Sequence, residues 1–162
     1  MFDPTDNSFT LVDISPPIHS GYKFNGAAVA GDGRVVFSPH NADGVGVFDP
    51  TDDSFTLVDI SATISSDYKF SGAALAGDGR VVFSPFSPYN ADGVGVFDLT
   101  DDSFTLVDIS ATISSNYKFR GAAVAGDGRV VFAPNNADGV GVFDPTDDSF
   151  TLVDIGATKH GQ

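Results

Sequence analysis

The chain has 162 residues, 41% of them hydrophobic, with 22 acidic side chains against 8 basic ones and a formal net charge of −14. That length suits one domain with a core of its own, and the acidity argues against nucleic acid and anionic membrane surfaces as partners. Cysteine is absent, which removes disulfides, thiolate zinc sites and cysteine nucleophiles; no apolar run reaches the roughly 18 residues of a membrane helix, so a soluble chain is expected.

The N-terminal residues Met1-Phe2-Asp3-Pro4-Thr5-Asp6 lack the charged start and apolar run of a signal peptide. They match the middle of a later repeat instead, as in a chain cut from a longer one, and the compartment is left open. The segment FDPTDNSFTLVDI begins at Phe2 and returns at Phe48, Phe97 and Phe143, with spacings of 46, 49 and 46 residues. Residues 48–85 and 97–134 differ at only five positions: Pro50/Leu99, Asp67/Asn116, Ser71/Arg120, Leu75/Val124 and Ser84/Ala133. Copies this alike point to recent duplication.

A period of about 40–50 residues belongs to propeller blades, two-helix solenoid units or similar arrays. Helices are disfavoured, because Gly-Asp-Gly, Ala-Asp-Gly and Asp-Pro-Thr-Asp recur too closely to leave room for them. Between these turns lie short runs of β-branched and aromatic residues, the strand signal. In the second copy strand A is expected over Ser71–Ala76, B over Arg80–Ser84, C over Val94–Asp98 and D over Ser103–Ile109. Gly77-Asp78-Gly79 makes the A–B hairpin, and Pro50 and Pro145 suit the second position of the C–D turns. Strand A is small (Gly72-Ala73-Ala74, Gly121-Ala122-Ala123), as an innermost strand near a crowded axis must be. Strands B and D carry Val81, Val82, Phe83 and Phe104, Leu106, Val107, Ile109, as suits a sheet covered on both faces.

On these residues the chain resembles a kelch-type β-propeller repeat: GAALAGDGRVVFSP followed by VFDPTDDSFTLVDI is similar to that family's Gly-rich strand, aliphatic strand and acidic turn. The double glycine typical of the family is replaced by Ser38-Pro39, Ser84-Pro85 and Ala133-Pro134. Its last-strand Trp is replaced by Phe9, Phe55, Phe104 and Phe150. The implied fold class is all-β, with four-stranded antiparallel propeller blades.

Residues 1–162 then form a single repeat array with blades at about 22–60, 68–109 and 117–155, plus an extra outer D strand at 8–14. Closed propellers have four to eight blades, so three do not close. The array is expected to be a partial or oligomer-closed propeller: two chains making six blades as a homo-oligomer, or one part of a longer chain. The spare D strand at 8–14 is a candidate to complete a partner's last blade.

In such blades the D–A and B–C connections emerge on one face. That face is expected to carry Tyr22-Lys23, Tyr68-Lys69 and Tyr117-Lys118. With them stand the loops His40-Asn41-Ala42-Asp43, Tyr89-Asn90-Ala91-Asp92 and Asn135-Asn136-Ala137-Asp138, and Arg120 and Phe86-Ser87-Pro88 nearby. The candidate ligand residues are therefore Tyr22, Lys23, Tyr68, Lys69, Tyr117, Lys118, Asn41, Asn90 and Asn136, a set able to stack on and hydrogen-bond a glycan or a protein. Against this, Asn-Ala-Asp-Gly is also simply a good turn, and Tyr an edge cap.

The opposite face carries Asp32, Asp78 and Asp127 with Asp52-Asp53, Asp101-Asp102 and Asp147-Asp148. Calcium takes clustered carboxylates, but the spacing matches no calcium loop, and turn formation is the favoured role; no metal and no cofactor are expected. Glutamate is absent, and His19, His40 and His160 do not repeat, so no catalytic residues are assigned. Arg34, Arg80 and Arg129 open strand B and are expected to pair with the neighbouring Asp turns. The reading is a non-enzymatic scaffold binding protein or glycan; the alternatives are a hydrolase or lyase at the channel mouth, or a truncated repeat array without activity of its own.

Overall fold

A computed structural model describes residues 2–14, 18, 21–86 and 92–156. It is all-β, with fourteen strands among the described residues. A short hairpin, β1 (Phe2–Asp3) and β2 (Ser8–Phe9), precedes three sheets of four strands each. The first is β3 (Phe24–Val29), β4 (Val35–Pro39), β5 (Gly44–Asp49) and β6 (Ser54–Asp59). The second is β7 (Phe70–Leu75), β8 (Val81–Pro85), β9 (Gly93–Asp98) and β10 (Ser103–Asp108). The third is β11 (Phe119–Val124), β12 (Val130–Pro134), β13 (Gly139–Asp144) and β14 (Ser149–Asp154). Each sheet is an antiparallel meander in chain order, so the strands are A, B, C and D of one blade.

The expected bounds hold to within a residue except at the N-terminus. There the D strand expected over 8–14 pairs only at Ser8 and Phe9, opposite Asp3 and Phe2. In the complete blades a D strand runs along six C-strand residues, Gly44–Asp49 in the first. Among the described residues Phe2 and Asp3 form the partner edge of this hairpin, and its ladder ends at Phe9. The third blade meanwhile has its own full D strand, β14.

Alternation gives every blade two unlike faces. Val36, Val45 and Val47 point one way in the first blade; Phe24, Phe37, Phe48 and Phe55 point the other. The valine face of one blade packs on the phenylalanine face of the next. Val36, Val45 and Val47 share a core with Phe70, Val81, Phe83 and Phe97, and Val82, Val94 and Val96 share one with Phe119, Val130, Phe132 and Phe143. Burying one such Phe contributes roughly 1.5–3 kcal/mol.

Glycine makes both the rings and the blades fit. Phe70, Phe83 and Phe104 cluster with centroids 5.6–6.4 Å apart, and the same triad recurs in the other blades. A Cβ on Gly95 would lie 2.8 Å from the Phe70 ring, so the Gly-Val-Gly-Val strand is small where the rings must sit. On the inner strands Gly26, Gly72 and Gly121 occupy β-bulges at φ of +98°, +115° and +100°. A Cβ on Gly72 would lie 2.6 Å from the Gly121 Cα, and one on Gly26 2.8 Å from the Gly72 Cα.

Gly72→Ala is expected to cost about 2–4 kcal/mol, since it joins a backbone clash to a left-handed φ. Gly31→Ala, which meets nothing within 4 Å, should stay within about 0.5 kcal/mol. Urea unfolding of both variants checks this; equal effects would refute the axial contact.

Candidate functional site

The D–A and B–C connections form a concave patch where the inner strands begin. Tyr22, Phe24, Asn25, His40, Tyr68, Phe86, Tyr117 and Arg120 line a cavity there of about 550 Å³. The tyrosines stand at φ of 52°, 58° and 52°, a conformation uncommon for bulky residues. Loop hydrogen bonds hold them in it. The Tyr22 carbonyl accepts from the Asn41 N–H at 3.2 Å, and the Tyr117 carbonyl from the Asn136 N–H at 3.0 Å. Their rings stay out in solvent, Tyr22 82%, Tyr68 43% and Tyr117 37% exposed.

A run of rings crosses the patch. His40 meets Tyr68 edge-on with centroids 5.2 Å apart, Phe86 lies 5.7 Å from His40, and Tyr117 lies 5.0 Å from Phe86. His40 is buried, and its Nδ1 lies 2.8 Å from the Phe70 carbonyl. A carbonyl only accepts, so Nδ1 carries the hydrogen. Asn25, Ser71 and Arg120 occupy one position in the three blades, and Arg120 is exposed with no side-chain partner among the described residues.

The nine candidate residues divide. Tyr22, Tyr68 and Tyr117 come together at the cavity. Lys69 and Lys118 do not reach it: both side chains are fully buried between blades. Lys69 Nζ donates to the Ala42 carbonyl at 3.1 Å and lies 3.6 Å from Asp43; Lys118 Nζ lies 2.5 Å from Asp92. The physical reason is the turn at the preceding Tyr, which sends the next side chain back under the neighbouring blade. Lys23 has no preceding complete blade to enter and stays half-exposed. Asn41 is a clasp between blades, donating to the Gly21 carbonyl at 3.2 Å and accepting from the Tyr68 N–H at 3.1 Å. Asn136 donates to the Asn116 carbonyl at 3.1 Å. Asn90 lies outside the described residues, as do Tyr89, Ser87-Pro88, His19 and His160. Phe24, Asn25, His40 and Phe86 were not among the candidates; Phe86 and His40 carried a signal, as residues that do not repeat.

The carboxylates of the opposite face serve their own turns. Asp49 accepts from the Thr51 N–H at 2.8 Å and its hydroxyl at 2.6 Å, which holds its carboxyl below the ordinary carboxylate range. Asp32, Asp78 and Asp127 pair with Arg34, Arg80 and Arg129, as expected. Arg34 and Arg80 also reach further than expected. Arg80 Nη2 donates to Asp148 at 2.6 Å and to the Pro145 carbonyl at 2.7 Å, and Arg34 Nη2 to the Leu99 carbonyl at 3.3 Å. Arg34 and Arg80 thereby tie their blades to the C–D turn of the next, while Arg129 pairs only with Asp127 among the described residues. Among the described residues no helix is long and apolar enough to cross a membrane.

Four-stranded meanders stacked face to face around small inner strands define the chain as an array of β-propeller blades. No family model matches it, and no curated protein does. Solved structures do. Virginiamycin B lyase from Staphylococcus aureus is similar with a TM-score of 0.68 at 17% identity, covering 81% of this chain and 41% of the lyase. The extracellular domain of BT3049 from B. thetaiotaomicron is similar at 0.63 and 13% identity, covering 90% of this chain and 19% of that one. XC5397 from Xanthomonas campestris, a gluconolactonase, is similar at 0.53 and 16% identity, covering 81% and 47%. The chain thus spans less than half the length of these structures. The likeness is one of fold, and it extends to propellers of several kinds rather than to kelch proteins in particular.

Burial pushes the Lys69 ammonium below its ordinary 10.5, with Asp43 opposing the shift. The unfolded chain therefore holds this proton more tightly, and the Lys69 contribution to stability rises as pH climbs from its folded value toward 10.5. Lys69→Met removes that dependence. The stability of the parent relative to Lys69→Met should increase between neutrality and pH 10.5; a constant difference in urea unfolding would contradict the buried charge.

Proposed function

We propose that this chain is a non-enzymatic propeller module that binds a glycan in the aromatic cavity of its D–A and B–C face. The observation that supports it most is the run Tyr68–His40–Phe86–Tyr117 beside Arg120 and Asn25. Sugar rings present C–H faces that stack on aromatic side chains and hydroxyls that need donors and acceptors at the rim. Tyr22, Tyr68 and Tyr117 offer the faces; Arg120, Asn25 and the tyrosine hydroxyls offer the polar partners. Variation among near-identical copies also falls here: Ser71/Arg120 and Asp67/Asn116 flank the tyrosines on an otherwise repeated scaffold. The kelch-like character of the repeat is part of this reading, since it rests on the motif alone.

A hydrolase or lyase reading has one observation in its favour, the His40 imidazole in the cavity lining. No second titratable group of the cavity lining hydrogen-bonds to that ring, so a base has no described partner to complete a proton relay.

Glycan-array screening followed by calorimetry tests the proposal. Tyr68→Ala and Tyr117→Ala should each weaken binding at least about tenfold, while Asp101→Asn on the opposite face leaves it unchanged. Circular dichroism separates loss of binding from loss of fold. Unaltered affinity in both tyrosine variants, or capture of proteins and no glycan, would overturn the assignment.

A further inference from the structure

Two junctions inside the chain are built alike, and the two ends of the array hold the unmated halves of a third. In each junction a valine face meets a phenylalanine face. The lysine that precedes strand A enters the preceding blade's B–C loop, as Lys69 meets Asp43 and Lys118 meets Asp92. The arginine that precedes strand B reaches the following blade's C–D turn, as Arg80 meets Asp148 and the Pro145 carbonyl. At the first junction Asn41 of the B–C loop also accepts the Tyr68 N–H.

Among the described residues no blade packs on the valine face of the third blade. Val131, Val140 and Val142 are half-exposed where Val82, Val94 and Val96 are buried, and Val153 and Ile155 are 49% and 46% exposed. Asp138, the counterpart of Asp43 and Asp92, is exposed, and the Arg129 side chain is 48% exposed, pairing only with its own Asp127 among the described residues. The first blade begins with a phenylalanine face on which no other blade packs among the described residues. Phe24, Val35, Phe37, Phe48, Pro50 and Phe55 line an apolar cavity of about 400 Å³, bridged by residues 10–14 with Leu11 82% exposed. Lys23 stands at the top of that face without an ion-pair partner among the described residues, and Asp53 and Pro50 stand at its bottom, where Arg129 would reach.

We infer that a second copy of this chain docks here, its third blade on this chain's first, in a head-to-tail junction that repeats the internal ones. Lys23 pairs with Asp138 of the second copy, and Arg129 of that copy pairs with Asp53 and the Pro50 carbonyl. The same contact made twice closes two three-blade arrays into a ring of six blades, removing every open end. Residues 10–14 leave the cavity beneath them unfilled, so they yield the face to a blade that fits it. Charge decides the occupant: an acidic loop and an arginine on one end meet a lysine and an acidic turn on the other, so each end complements the opposite end and not itself.

Sedimentation equilibrium of the full chain is expected to give twice the 16.8 kDa chain mass. Asp138→Lys should raise the dissociation constant at least about thirtyfold, and adding Lys23→Asp to the same chain should restore association by inverting the pair. Both side chains are solvent-accessible in the single chain, so folding is expected to be retained, and circular dichroism verifies it. A monomer at about 100 μM, a dimer indifferent to Asp138→Lys, or open-ended polymers would each overturn the inference.

Discussion

The approach of bare backbone to bare backbone along the inner strands governs everything else in this molecule. Gly26, Gly72 and Gly121 stack with no side chain between them, each at a bulge and each at a positive φ. A Cβ on Gly26 or Gly72 would push neighbouring blades apart at the axis, where the fan of sheets is narrowest. With the axis closed, the sheets come near enough for valine to rest on phenylalanine. The phenylalanines in turn have room because strand C is glycine on their side. Glycine costs backbone entropy in a strand, and here that cost is offset by aromatic burial on both sides of the contact.

From that packing follow the polar ties. Lys69 and Lys118 are drawn out of water because the blades close over them, and an ammonium so placed needs the Asp43 or Asp92 carboxylate and a carbonyl oxygen. A pair of this kind, with a buried lysine and a carboxylate open to solvent, adds little net stability, but the lysine is intolerant of the wrong partner. It sets the register of one blade on the next. On the other face the arginines do the same work nearer solvent, so each junction is held at both rims with a hydrophobic slab between.

Much of this was legible in the residues. The period, the four strands per repeat and the small inner strand followed from turn spacing and side-chain size, and the strand bounds within the blades fell within a residue of those found, whereas the N-terminal strand expected over 8–14 is found only at Ser8–Phe9. The tyrosines were legible as a repeated aromatic on the loop face. The lysines beside them were misleading, because adjacency in sequence says nothing about which of two neighbours a left-handed turn sends inward. Asn41 likewise looked like a ligand group and is a clasp. His40 and Phe86 escaped notice as a pair, since they lie in different blades and meet only across a junction.

What the sequence alone determined is the unit: a 46-residue repeat whose alternation, glycines and Asx turns specify one four-stranded blade by local chemistry. What only the tertiary structure decided is how units face one another. Alternation predicts that a strand has two faces, but not that valine must meet phenylalanine rather than its own kind. Nor does it say which charged side chains lie inside the seam and which remain at the ends. Those outcomes depend on distances between residues about 30–70 apart in the chain, set by the glycine contacts at the axis.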